Sequence, residues 1–113
     1  MSEHLLCTIH DVDEEESKEF VIEGAEGDRS VFVVKKDGLI SIFENHCPHL
    51  GVPLNMAPDR FLDVEKNFVL CSTHGALFKI EDGECVHGPC FGQNLTPVNY
   101  VLRGEEVFVT KDL

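Results

Sequence analysis

The chain has 113 residues, 42% of them hydrophobic, and a formal net charge of −12 from 21 acidic and 9 basic residues. This size and composition fit one small globular domain, and the acidity excludes nucleic acid as an expected partner because phosphate contacts need Lys and Arg. No stretch has the length and apolar content of a membrane helix, and the first residues lack the basic and apolar regions of a signal peptide. We therefore expect a single domain over residues 1–113 that does not enter a membrane.

Short β-branched and aromatic runs recur along the chain and predict strands. In chain order they fall at 20–22, 31–34, 39–43, 68–70, 76–80, 98–102 and 107–110. Asp37-Gly38 lies between two such runs and predicts a hairpin, and Asp82-Gly83 predicts a second one. No segment keeps a 3.6-residue period over several turns, so the helical structure expected is at most one short turn at 58–61. The chain is predicted to be all-β.

Two pairs of Cys and His stand out, Cys47-Pro48-His49 and Cys71-Ser72-Thr73-His74. Each pair places one thiolate and one imidazole on a tight turn, and a nearby glycine lets the backbone fold closely around a metal site. Two thiolates and two imidazoles are the ligand set of a Rieske-type [2Fe–2S] centre, in which two His replace two Cys on one iron. The same four residues also form a normal structural zinc set, which a strand-rich domain of this size favours less.

A third pair, Cys85-Val86-His87, has similar spacing and competes as a ligand pair. We interpret Cys85 as a small buried residue on the return strand of the second hairpin, and His87 as a loop residue. His46 directly precedes Cys47 and is interpreted as a non-ligand, because adjacent residues on a tight loop point apart. Cys7 and Cys90 are interpreted as packed thiols.

The sequences around the two ligand pairs resemble those of Rieske ferredoxins. HCPHLG spans 46–51, CSTHG spans 71–75, and Gly88-Pro89 resembles the proline loop that covers the third side of the cluster in that family. The segment between the two boxes is a few residues longer than in familiar members, with the extra residues expected around 56–67. The resemblance covers nearly the whole chain.

The resemblance implies the Rieske fold. In that fold an antiparallel β-sandwich or barrel base, here residues 1–44 and 93–113, carries an inserted small cluster-binding subdomain, here about 45–92. It also implies one [2Fe–2S] cluster per chain. The ligands that it implies are Cys47 and Cys71 on one iron and His49 and His74 on the other.

Four further positions bear on the redox potential. High-potential members of the family join their two loops by a disulfide, whose cysteines match Val52 and Thr73 here. Those members also donate hydroxyl hydrogen bonds to sulfur, from positions that match Ala76 and Phe78. Hydrogen bonds stabilise the reduced cluster, so their loss lowers the potential. The chain thus resembles the low-potential, soluble, oxygenase-associated ferredoxins, and its five cysteines without a pairing pattern favour a cytoplasmic location.

These features predict an electron carrier and not an enzyme. The chain leaves no room for a catalytic mononuclear iron domain and has no Gly-x-Gly-x-x-Gly fingerprint for a nicotinamide or flavin. The expected partners are a reductase and a terminal oxygenase or other oxidoreductase, with a basic docking surface that suits this acidic chain. The acidic segment 11–19 is interpreted as a solvated turn. Two alternatives are a small subunit of a multi-component enzyme, resembling that of assimilatory nitrite reductase, and a redox-sensing regulatory module.

Overall fold

The structure, a computed structural model, describes residues 3–23, 27–46, 48, 54, 59–71, 75–89 and 92–110. Within these ranges the regular structure is entirely strand, which confirms the predicted all-β class. The strands are β1 Glu3–Thr8, β2 Glu16–Ile22, β3 Arg29–Lys36, β4 Leu39–Glu44, β5 Phe68–Cys71, β6 Ala76–Lys79, β7 Cys85–His87, β8 Tyr100–Arg103 and β9 Glu106–Thr110. Residues 59–61 form a turn and irregular backbone, so the described residues contain no helical turn there, and Pro58 lies outside the described part.

The described strands form three antiparallel sheets of three strands each, ordered β1-β9-β8, β2-β3-β4 and β5-β6-β7. The hairpin predicted at Asp37-Gly38 joins β3 to β4. Both turn residues have positive φ, 55° and 75°, as a tight two-residue hairpin turn requires. The hairpin predicted at Asp82-Gly83 joins β6 to β7.

The middle strand β3 is buried on both faces and divides the interior into two cores. Phe32 and Val34 face the core shared with β5, β6 and β7, whereas Val31 and Val33 face the core shared with β1 and β9. Because successive side chains of a strand point to opposite faces, one strand supplies both cores. The sheet that carries Cys71 is therefore packed on the β2-β3-β4 sheet over a continuous apolar interior. Within the described residues, no helix is long and apolar enough to cross a membrane.

The described part of the longer segment between the ligand pairs is fastened to β2. The Ser17 hydroxyl donates to the carbonyl of Asp59 over 2.8 Å and accepts from the N–H of Phe61 over 3.3 Å. The N–H of Glu19 donates to Oδ1 of Asp59 over 2.8 Å. The buried ring of Phe61 stacks on Phe32 with centroids 4.3 Å apart. These contacts make the segment an integral part of the core that supports the ligand-bearing sheet.

Candidate metal centre

The second ligand pair begins at the end of β5, where Cys71 is fully buried. Cys71 lies opposite Ala76 in the antiparallel register of β5 and β6. The N–H of Gly75 donates to the Cys71 carbonyl over 2.8 Å, and Gly75 has a φ of 71° that suits glycine. Cys71 and Gly75 are therefore joined directly where the two paired strands meet, and 72–74, including His74, lie outside the described residues.

The backbone of Gly88 packs closely on the other side of Ala76. A Cβ at Gly88 would lie 2.8 Å from the Cα of Ala76, which is closer than real Cβ atoms come to backbone. Leu77 lies opposite His87, so Gly75 and Pro89 come to the same end of the sheet, and both are exposed. The predicted proline loop thus lies beside the connection that starts at Cys71.

The first ligand pair lies within a segment whose two ends are joined. Asn45, at the end of β4, is buried, and its Oδ1 accepts the N–H of Leu54 over 2.9 Å. The Leu54 side chain is fully buried in the core below β5 and β6. Of the residues in between, His46 and Pro48 are half-buried, and Cys47, His49 and 50–53 lie outside the described part. No sequence pattern predicts a role for Asn45, and the only signal for it is its position two residues before Cys47.

Of the four predicted ligands, the structure describes Cys71. Cys47, His49 and His74 lie outside the described residues, so the four-residue ligand set stays a prediction. In the described ranges no three His, Cys, Asp or Glu side chains gather as a metal site would need. A thiolate at the position of Cys71 would be costly without compensation, because it is fully buried, and ligation to a metal supplies that compensation. The burial, the direct link to Gly75 and the close approach of Gly88 therefore fit the Cys71 position to an iron–sulfur ligand.

The competing pair at Cys85 and His87 is placed differently. Cys85 is buried on β7, as predicted, and its Sγ donates to the carbonyl of His87 over 3.3 Å. His87 is exposed and ends β7, so its placement in a loop is wrong. The β-strand continues to this residue because it pairs with Leu77 on β6. The Cys85 thiol thus forms a hydrogen bond with the backbone of β7 and packs in the core.

The acidic segment 11–19 is only partly the solvated turn that was predicted, because residues 16–19 lie on β2. Its acidic side chains from Asp11 to Glu16 are exposed, but several of them are bound to their own chain. Glu14 accepts the backbone N–H of Gly38 over 2.9 Å, and the Glu15 carboxylate lies 2.7 Å from Nζ of Lys36. The hydrogen bond and charge of Lys36 lower the pKa of the Glu15 carboxyl below its ordinary value. The segment therefore helps to fasten the β3–β4 hairpin, in addition to the solvated role that the sequence indicates.

Cys7 provides the other buried thiol of the described region. It lies on β1 in the second core, as the interpretation of a packed thiol requires. Burial, and next the charge of Asp11, raise the pKa of this thiol to about 11, although Lys18 opposes the shift. Burial and the raised pKa both make the Cys7 thiol less reactive than an exposed thiol. Cys90 lies outside the residues that the structure describes.

Solved structures with similar backbones define the class of fold. The ferredoxin of carbazole 1,9a-dioxygenase from Nocardioides aromaticivorans IC177 has a TM-score of 0.75 and 20% identity, covering 97% of this chain and 98% of that chain. The ferredoxin of Sphingomonas yanoikuyae B1 has a TM-score of 0.75 and 20% identity, covering 96% and 97%. A chain in a complex of reduced oxygenase and oxidized ferredoxin in carbazole 1,9a-dioxygenase has a TM-score of 0.75 and 20% identity, covering 96% of this chain and 93% of that chain. These likenesses confirm the expected Rieske fold.

The family follows from the sequence match. The model of the Rieske [2Fe-2S] domain matches residues 2–110. The chain therefore belongs to the Rieske [2Fe-2S] domain family, whose cofactor is a single [2Fe–2S] cluster. No curated protein matches the chain at a significant level.

Proposed function

We propose that the protein is an electron carrier that moves one electron between a reductase and an oxygenase or other oxidoreductase, and that it is not itself an enzyme. The observation that carries this proposal is the fully buried Cys71, joined directly to Gly75, in a chain that the Rieske family covers almost entirely. One-electron transfer is the chemistry that the cluster supplies when bound.

The proposed ligands divide between the two irons by chemistry. Cys47 and Cys71 bind one iron as thiolates, and His49 and His74 bind the other through a ring nitrogen. These residues lie in a proposed cluster-binding subdomain of about 45–92, carried by a base of 1–44 and 93–113. The core shared by Phe32 on β3 with the ligand-bearing sheet supports a rigid link between the two parts.

We place the potential at the low end of the Rieske range, at about −150 mV. Ala76 lies opposite Cys71 and is fully buried, and Phe78 is fully buried two residues further along β6. Neither side chain has a group that donates a hydrogen bond to sulfur. Because such hydrogen bonds stabilise the more negative reduced cluster, their absence lowers the potential. Val52 and Thr73, where high-potential members have a disulfide, lie outside the described residues.

The proposed docking surface surrounds the two histidine ligands. It consists of Pro48, Leu50, Gly75 and Pro89, of which Leu50 lies outside the described residues. Gly75 and Pro89 are exposed at one end of the β5-β6-β7 sheet, and Pro48 is half-buried. A small apolar patch suits brief docking, while a net charge of −12 speeds the approach of a basic partner surface at low salt. Similar ferredoxins belong to dioxygenase systems, which supports an oxygenase as one partner.

A cytoplasmic location is part of this proposal. Cys7 and Cys85 are buried thiols outside any disulfide, as expected of a protein in a reducing compartment. A protein that instead copurifies with a large partner would favour the alternative of an enzyme subunit. One that exchanges no electron with any reductase would favour the regulatory alternative.

The ligand set is tested with two matched substitutions. Cys71→Ala and Cys85→Ala each remove a buried thiol from the same core. We expect Cys71→Ala to lose the visible absorption of the cluster and Cys85→Ala to keep it. A colourless Cys85→Ala protein beside a coloured Cys71→Ala protein would show that the second ligand pair is misassigned.

The docking surface is tested by kinetics. We expect Leu50→Glu to slow electron transfer to the cognate oxygenase without moving the midpoint potential, and added salt to slow the wild type. Unchanged transfer by Leu50→Glu would mean that the electron leaves by another face.

A further inference from the structure

We propose that Asn45 is a positioning residue that ties Leu54 to Ser30 on β3, and that this tie slows the loss of the cluster. The inference rests on the proposed function, because Cys47 and His49 are ligands only under that proposal. Asn45 is not one of the proposed ligands. Glu19 and Ser30 form hydrogen bonds with its side chain and help to hold it in place.

The Asn45 residue forms hydrogen bonds with both Leu54 and Ser30. Its Oδ1 accepts the backbone N–H of Leu54 over 2.9 Å, nine residues further along the chain. Its own backbone N–H donates to the carbonyl of Ser30 on β3 over 2.9 Å. Asn45 is therefore bound both to Ser30 on the central strand β3 and to Leu54, which follows the first ligand pair.

The orientation of the Asn45 amide is determined by its neighbours. Its Nδ2 donates to the Ser30 hydroxyl over 3.2 Å and to the Glu19 carboxylate over 3.4 Å. The Ser30 hydroxyl donates in turn to the same Glu19 carboxylate. A carboxylate accepts only and a backbone N–H donates only, so the amide has to point its nitrogen at Glu19 and its oxygen at Leu54.

Burial makes this contact hard to replace. Asn45 is 8% exposed and Leu54 is fully buried. Removing the amide would leave the Leu54 N–H without its acceptor at a buried position, which costs much more than losing an exposed hydrogen bond. Leu54 would then lose its attachment to Asn45, the residue two positions before the proposed ligand Cys47, and we expect the cluster to be lost faster.

The test exchanges the amide and the carboxylate. Asn45→Asp keeps an acceptor for Leu54 but sets two carboxylates against each other, and Glu19→Gln added to it restores one amide and one carboxylate. Visible absorption follows cluster loss to an iron chelator, and circular dichroism follows unfolding of the same holoproteins. Asn99→Ala, at an exposed asparagine, is the matched control for Asn45→Ala.

We expect Asn45→Ala and Asn45→Asp to lose the cluster about tenfold faster than wild type. We expect the Asn45→Asp/Glu19→Gln pair to return within about twofold of wild type, and Asn99→Ala to match it. The pair decides the matter if Asn45→Ala does not fold. A double variant that loses the cluster as fast as Asn45→Asp alone would overturn the inference, as would an Asn45→Ala protein that keeps its cluster like Asn99→Ala. A wild type without any cluster would overturn the proposed function, and this inference with it.

Discussion

Replacing Gly88 with alanine tests the close packing beside Cys71. Gly88 has a φ of 97°, and a Cβ there would lie 2.8 Å from the Cα of Ala76. The positive φ costs an alanine about 1–2 kcal/mol, and the backbone shift needed to relieve the contact costs a further 1–3 kcal/mol, about 3 kcal/mol together. Because Ala76 lies opposite Cys71, the shift should also reach the ligand-bearing connection.

Gly104→Ala is the matched control for this substitution. Gly104 has a φ of 67°, and a Cβ there would meet nothing within 4 Å. Alanine at this position therefore costs only the free energy of the positive φ, about 1–2 kcal/mol. Thermal unfolding of the holoproteins should place Gly88→Ala about 10 °C below wild type and Gly104→Ala about half as far below. Equal melting temperatures for the two variants would refute the argument that Gly88 is required by its contact with Ala76.

Three further predictions follow from the same contacts. Phe61→Ala should lower the unfolding free energy by about 3–5 kcal/mol in chemical denaturation, because a fully buried ring stacked on Phe32 is removed, and a cost below about 1 kcal/mol would contradict the attachment of this segment to the core. The pKa of Cys7 is raised to about 11, from 9.0, so this thiol's contribution to the free energy of unfolding is complete below pH 9 and is lost as the pH rises towards 11. Urea unfolding that shows a rise in stability over that range would contradict this prediction. Ala76→Ser should raise the midpoint potential in protein film voltammetry, and a lower potential would remove the argument for a low-potential centre.

Local sequence patterns predicted most of the sheet structure. Asp37-Gly38 between two apolar runs was enough to place the β3–β4 hairpin, because both residues accept positive φ. Residues 59–61, where a short helical turn was considered, take their conformation from contacts outside that segment. Asp59 and Phe61 are held by Ser17 on β2, and a contact between residues more than 40 positions apart has no mark in the local pattern.

The candidate site also has features that a short motif predicts and others that depend on residues far apart in the sequence. The Cys and His pairs are recognisable because ligand spacing is local, and the glycine that closes the connection after Cys71 belongs to the same short box. The hydrogen bonds around Asn45 bring together Glu19 on β2, Ser30 on β3 and Asn45 just after β4, and no short motif contains these three residues. Likewise, the need for glycine at 88 arises from the neighbouring strand, through Ala76.

Pulsed EPR of the reduced protein tests the central claim, a [2Fe–2S] cluster held by two Cys and two His, most directly. We expect two iron and two sulfide per chain, and an unpaired electron coupled to the nitrogens of two imidazoles. His49→Cys and His74→Cys should each remove one of these couplings wherever the cluster is retained. A protein that contains zinc and gives no such signal, or a cluster without nitrogen coupling, would contradict the account.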